Sequence, residues 1–307
     1  LIETPERSDT PVKDSIHTYF QIGTIQWMSH PSCPILDSIK QIACDDFFDA
    51  IEVGRFPDDD TRAKARDMLA QAHMKVCYGA QPRLLTAGLN PNHLDEAERK
   101  KAEAVLLDSI DEAEYMGAKG IAFLAGKYEE EKKEEAYRQL MKTTGALCEY
   151  AAKKDMTIIL EVFDYDLDKK SLIGPAPYAA KFAADIRNQY NNFGLMVDLS
   201  HIPQTHETSR FVIQTLRPYI LHFHIGSGVM AEGADAFGDT HPRFGFPNGL
   251  NDTAEVLEFL RVMKQEGFLD EENPPVLSFE VKPWGSEDPD VVVANAKRVL
   301  NRAWALL

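Results

Sequence analysis

The sequence predicts a single eight-stranded (β/α) barrel. Three observations lead there. Eight short apolar runs recur, each followed by a helix-like stretch; no boundary or linker interrupts the 307 residues; and an ionisable residue sits in or at the end of each of the last four apolar runs. Runs as short and apolar as TIILEVF and PVLSFEV suit strands buried on both faces of a parallel sheet, and the alternation with helices supplies the crossovers such a sheet needs. A doubly wound open sheet is the alternative. It would want a glycine-rich turn after the first strand, and GTIQWM, from Gly23 onward, is not one.

Taken in order, the first strand is expected over residues 19–26 (YFQIGTIQ), with a helix near 35–44. The second, 47–54 (FFDAIEVG), precedes a helix from about 60 to 72. The third, 75–80 (KVCYGA), precedes one near 94–115, and the fourth, 120–125 (GIAFLA), one near 130–153. The charge runs at 96–103 and 129–135 mix both signs and read as solvated helix faces. The fifth strand, 157–163 (TIILEVF), is followed by a helix near 176–188. The sixth, 193–199 (FGLMVDL), leads to one near 207–216. The seventh, 219–225 (YILHFHI), leads after a long loop to one near 252–266, and the eighth, 275–282 (PVLSFEVK), to one near 289–305. Residues 1–18 are expected to form an N-terminal arm and residues 19–307 the barrel.

A chain of this length buries a core large enough to fold without disulfides or a structural metal. Cys33, Cys44, Cys77 and Cys148 are scattered with no CxxC pair, as in a protein of a reducing compartment, so a cytoplasmic location is expected. The formal charge of −16, from 33 basic and 49 acidic residues, would repel a nucleic-acid backbone. No apolar stretch approaches the roughly 18–20 residues of a membrane span, and residues 1–14 lack a hydrophobic signal core.

Barrel strands should stay apolar until their C-terminal ends, where function is built. Glu161 closes IIL in the fifth strand, Asp198 ends LMV in the sixth, His224 lies near the end of YILHFHIG in the seventh, and Glu280 follows VLSF in the eighth. A buried carboxylate without a partner costs several kcal/mol. A shared cation removes the repulsion among three of them and uses all four groups. Carboxylates with one imidazole are a mostly hard donor set, which favours Mn²⁺ or Mg²⁺ over Co²⁺ or Zn²⁺. His201 follows Asp198 in DLSH and is a candidate functional residue. His222, two before His224, reads better as a core or supporting histidine. The glycine-rich loop 226–251 carries Asp239 and His241 in FGDTHPRFG, which either join His201 around an ion or cap a local turn.

On LEVF with Glu161, DLSH with Asp198 and His201, FHIG with His224, and SFEVK with Glu280, residues 19–305 resemble the xylose isomerase-like TIM-barrel superfamily, the sugar-phosphate isomerase and epimerase group. The resemblance to ketose 3-epimerases of the tagatose type implies one Mn²⁺-like ion held by Glu161, Asp198, His224 and Glu280, with Glu161 and Glu280 as acid and base. The resemblance to rhamnose-isomerase-like members implies a second ion at His201, Asp239 and His241, although the second loop ligand here is His instead of Asp. The abasic-site endonuclease branch shares DxxH followed by DxH, but the histidines it carries after strands two to four are missing: those stretches read VCYGAQ and AFLAGK. Metal-dependent C-glycoside-cleaving lyases, whose large subunit is a barrel of this type, are the alternative activity. A non-catalytic sugar-binding barrel with a structural metal is another.

The expected chemistry is proton transfer next to a polarised sugar carbonyl through an enediolate, giving epimerisation or isomerisation. His201 is a further catalytic candidate. Glu52, ending AIEVG, is either a hydroxyl binder or a salt-bridged rim residue. Trp27 and Trp284 either wall a sugar face or pack the core, and Lys169 and Lys282 are candidate contacts to substrate oxygens. The expected partner is a small carbohydrate, with no nucleic acid and no membrane. The assembly is expected to be a homo-oligomer, or a hetero-oligomer with a small subunit if the protein is a lyase.

Overall fold

The eight strands of the computed structural model, which describes residue 12 and residues 14–307, are β1 (Gln21–Ile25), β2 (Ala50–Val53), β3 (Lys75–Gly79), β4 (Gly120–Leu124), β5 (Thr157–Glu161), β6 (Phe193–Asp198), β7 (Ile220–Gly226) and β8 (Val276–Glu280). Each pairs in parallel with the next, and β1 pairs with β8, so the sheet closes on itself as a (β/α)8 barrel. Closure removes the sheet edges, and the apolar runs fill both the barrel wall and its contact with the helical ring.

The crossover helices are α2 (Ile35–Ala43), α3 (Asp59–Gln71), α5 (Glu96–Tyr115), α6 (Lys133–Ala152), α7 (Ala176–Arg187), α9 (Ser209–Leu216), α10 (Thr253–Gln265) and α11 (Pro289–Ala305). Their ends follow the local chemistry. Asp58, Asp95, Asp252 and Asp288 each cap a helix N-terminus with a side-chain oxygen, and Asp252 completes a reciprocal capping box with Glu255. Apolar faces such as Leu106, Ile110 and Ala113 of α5, or Val292, Ala296 and Val299 of α11, are buried against the barrel.

Three short helices escape the periodicity because one or two turns carry too little pattern to read: α1 (Gln26–Ser29), α4 (Gln81–Ala87) and α8 (His201–Gln204). All three begin just beyond a strand end, at the mouth of the barrel. Phe47 and Phe48, expected within the second strand, precede it; that strand is confined to Ala50–Val53. Most of the expected arm, residues 1–11 and 13, lies outside the described residues. The part that is described is attached: Ile16–Thr18 form a 3-10 turn, and Ile16 is buried in the core. The four cysteines are free thiols. Among the described residues, no helix is long and apolar enough to cross a membrane.

Candidate metal centre

The register of the last four strands assembles the site. Glu161 pairs with Met196, Asp198 with His224, and Gly226 with Glu280. The hydrogen-bonded register thus climbs around the barrel, as the stagger of tilted strands requires, and brings four side chains from different register positions to one level. One ligand atom from each of Glu161, Asp198, His224 and Glu280 lies within 4.8 Å of the other three. A Cβ at position 226 would stand 2.4 Å from the Glu280 carbonyl oxygen, so glycine there lets the two strands approach.

Neighbours hold each of these groups in place. The Gln81 side-chain amide donates to Glu161 Oε2 at 2.8 Å. The backbone N–H of Ser200 donates to Asp198 Oδ1 at 2.8 Å, and its hydroxyl donates to the other carboxylate oxygen. His224 Nδ1 lies 2.7 Å from Glu280 Oε2 and 3.6 Å from Glu161 Oε1. Glu161 Oε1 is buried and has no hydrogen-bond partner among the described residues. A buried carboxylate oxygen left bare, surrounded by two further carboxylates and an imidazole, is what a divalent cation would complete, so the residues present fit a metal.

A second cluster adjoins the first. Asp198, His201 and His241 also place ligand atoms within 4.8 Å of one another. His201 Nε2 and His241 Nε2 reach Asp239 Oδ1 at 3.0 and 2.8 Å, and Lys169 Nζ holds Asp239 Oδ2 at 2.7 Å. His201 is fixed from behind by the Val162 carbonyl at 3.0 Å and packs its ring on Phe163. His241 adopts φ 51° immediately before Pro242, a backbone region costly for a side-chain-bearing residue and therefore maintained by its surroundings.

Electrostatics bind the two clusters into one unit. Burial alone would raise the Asp198 carboxyl, but His201, His241 and His224 outweigh it and hold it below the usual range. Burial would lower His201, yet Asp239 and Asp198 push it up to about 10; the same balance, led by Asp239 and Glu280, takes His241 up to about 9. Glu280 stays above its ordinary value because burial exceeds the pull of His241 and His224. With no cation bound, protons on the histidines balance the buried carboxylates. A divalent ion can take over that charge.

The remaining candidates are dispersed. Trp27 is half-buried and lines the mouth, a cavity of about 140 Å³ shared with Gln81, Lys169, His224, Asp239, His241 and Glu280. Its indole lies across the end of β3, where a Cβ at Gly79 would come within 2.4 Å of it. Of the two readings of Glu52, hydroxyl binder or salt-bridged rim residue, the rim position is corrected: the carboxylate is ion-paired but buried inside the barrel, 2.9 Å from His224 Nε2 and 2.8 Å from His222 Nε2. Lys282 and Trp284 are exposed and do not line this cavity; Trp284 meets Phe246 edge-on.

Two residues that position the site escaped the sequence reading. Gln81 follows the apolar run VCYGA directly, and a polar residue at a strand's C-terminal end was its one signal. Asp164, fully buried, accepts the backbone N–H groups of Leu167, Asp168, Lys169 and Lys170 and so shapes the loop that delivers Lys169 to Asp239. Its cue was the aspartate-rich stretch DYDLDKK, where a short carboxylate gathers local amides.

The architecture has close counterparts. A D-tagatose 3-epimerase-like protein superposes with a TM-score of 0.70 at 18% identity, covering 92% of this chain and 98% of that one. An L-ribulose 3-epimerase gives 0.70 at 18%, covering 92% and 95%. The IOLI protein with a bound zinc atom gives 0.72 at 14%, covering 94% and 99%. At such identities these likenesses establish the fold. No curated protein matches the sequence. The family model for the xylose isomerase-like TIM barrel matches residues 43–293, and the chain belongs to that family.

Proposed function

We propose that the protein is a divalent-metal-dependent sugar isomerase or epimerase. The observation that carries this reading is the buried Oε1 of Glu161, without a hydrogen-bond partner among the described residues, on a carboxylate that shares a cluster of potential ligand atoms within 4.8 Å of one another with Asp198, His224 and Glu280. Those four residues hold the ion; Mn²⁺ is the first candidate, with Mg²⁺, Co²⁺ and Zn²⁺ as alternatives. When bound, the ion supplies Lewis-acid polarisation of a substrate carbonyl and its neighbouring hydroxyl.

The chain's own groups do the rest. Glu161 and Glu280 stand on opposite sides of His224 in the barrel order, and one removes the proton from the carbon next to the carbonyl. The other returns a proton, to the opposite face for epimerisation or to the adjacent carbon for isomerisation. The Gln81 amide keeps Glu161 turned toward the cluster. Ile25, Trp27, Pro82 and Leu85 form the apolar side of the mouth, suited to the C–H face of a sugar and to excluding water from the proton transfer. Lys169 lies within the same cavity, where it can donate to a substrate oxygen while paired with Asp239. His201, Asp239 and His241 form either a second cation site or a polar clamp on the substrate.

The test is a screen of ketoses and aldoses with added Mn²⁺, following deuterium uptake from D₂O at the carbon next to the carbonyl. The expected result is solvent-derived deuterium in at least one sugar, dependent on the metal. Absence of exchange across the panel with metal bound would remove the isomerase and epimerase reading.

A further inference from the structure

His224 faces carboxylates on both ring edges. Its Nδ1 points toward Glu280 and Glu161 at the mouth, while its Nε2 lies 2.9 Å from Glu52 Oε1 inside the barrel. The same Glu52 oxygen lies 2.8 Å from His222 Nε2. His222 and His224 are two residues apart on β7, so both side chains point inward. Their rings stand at 86° with centroids 5.1 Å apart, converging on one carboxylate that reaches from β2. All three groups are buried.

Geometry dictates which edge of His224 can serve a cation. An imidazole that binds a metal through one nitrogen keeps its hydrogen on the other. Glu52 is a carboxylate at the centre of the barrel and can only accept, and the groups within hydrogen-bond distance of its Oε1 are the Nε2 atoms of His222 and His224, so each of these nitrogens must carry the hydrogen. Withdrawing the His224 hydrogen would leave a buried charge with one donor in place of two, which burial makes unfavourable. Glu280 on the opposite edge loses nothing comparable, because the cation itself replaces the hydrogen it would otherwise accept. The asymmetry keeps the hydrogen on Nε2 and presents the Nδ1 lone pair to Glu161, Asp198 and Glu280.

We propose that Glu52, braced from below by His222, is the positioning residue that fixes which nitrogen of His224 faces the mouth and thereby sets the site's affinity for a divalent ion. Glu52 lines the mouth cavity and also a separate cavity of about 610 Å³ that extends to the opposite end of the barrel. Glu52 therefore stands between the two cavities. This inference rests on the reading that Glu161, Asp198, His224 and Glu280 hold a cation.

The experiment compares wild type, Glu52→Gln, His222→Gln and Asp198→Asn. Mn²⁺ affinity is measured by chelator competition, and histidine ring ¹⁵N spectra are recorded on Zn²⁺-loaded protein. Glu52→Gln should weaken Mn²⁺ binding about 10–100-fold, as loss of a partner behind a metal-bound histidine typically does. His222→Gln should act in the same direction to a smaller extent. In wild type, His224 should carry zinc on Nδ1 and a hydrogen-bonded proton on Nε2. Unchanged affinity in Glu52→Gln, alongside weakened binding in Asp198→Asn, overturns the positioning role and leaves the metal site standing. Unchanged affinity in both variants overturns the metal reading itself. If Glu52→Gln does not fold, the wild-type spectrum decides: zinc on Nε2 of His224 overturns the proposal.

Discussion

The two halves of the barrel end differently at the same mouth. On one side, β5, β6 and β8 finish in Glu161, Asp198 and Glu280, and β7 carries His224 two residues before its end. On the other, β1 to β4 finish in Ile25, Val53, Gly79 and Leu124. One half-wall supplies charge and the other supplies shape. The division is physically useful, because an apolar wall facing an ionic one excludes water and strengthens every interaction across the gap. Glu52, a carboxylate that the apolar half sends into the centre, is satisfied by two histidines of the opposite half.

The sharpest test falls on the ionic half. Glu161→Gln or Glu280→Gln keeps side-chain size and one oxygen donor but removes a base, and should lower turnover about 10²–10⁴-fold even at saturating metal. Asp198→Asn should instead lose affinity that extra metal restores. Deuterium exchange at the substrate carbon separates the two behaviours. Exchange persisting in both glutamate variants would mean that the proton moves through another group, with His201 and Lys169 next to examine.

Metal binding should also register as stability of that half. At Mn²⁺ about 100-fold above its dissociation constant, the fold gains about 2.7 kcal/mol, seen as a rise in melting temperature. No rise with any divalent ion breaks the assignment of the four ligands. Asp239→Ala should lower metal stoichiometry from about two to about one if the second cluster takes an ion. A wild type that already binds one ion, unchanged by the substitution, would leave His201, Asp239 and His241 as substrate contacts or loop structure.

The apolar half is probed at Gly79. An alanine there collides with the Trp27 indole and should cost about 1–3 kcal/mol by denaturant unfolding, the usual penalty for overpacking. Trp27→Ala should raise KM while leaving Mn²⁺ affinity intact; loss of metal binding would show that the halves are not separable.

The last test is pH, and it is confined to the metal-free protein. His201 and His241 have folded values near 10 and 9, above the ordinary 6.5. Their contribution to the metal-free fold is therefore complete below about pH 6.5 and is lost as pH rises through about 9 and about 10. Differential scanning of metal-free protein should show the melting temperature falling across that window. A rise there would contradict the pairing of His201 with Asp239 and Asp198 and of His241 with Asp239 and Glu280.

What the sequence determined by itself was periodic or terminal. Eight apolar runs separated by helix-like stretches specified the barrel, because burial on both faces leaves an unambiguous apolar signature. That Glu161, Asp198, His224 and Glu280 would gather at one level was legible for the same reason, since a charged group closing an apolar run stands out against it. Tertiary structure decided everything that depends on distance across the barrel. Glu52 looked like a rim residue because a strand end at the mouth and a position one pleat deeper differ by two residues, less than the error in a strand boundary. Its partners lie 170 and 172 residues away. Gln81 and Asp164 act through single hydrogen bonds and local amides, which leave no periodic trace. Trp27 and Trp284 were indistinguishable as aromatics beyond strand ends. Closure placed one over the mouth against Gly79 and left the other on the surface beside Phe246, since the direction of a loop side chain follows from the packing around it and not from its spacing along the chain.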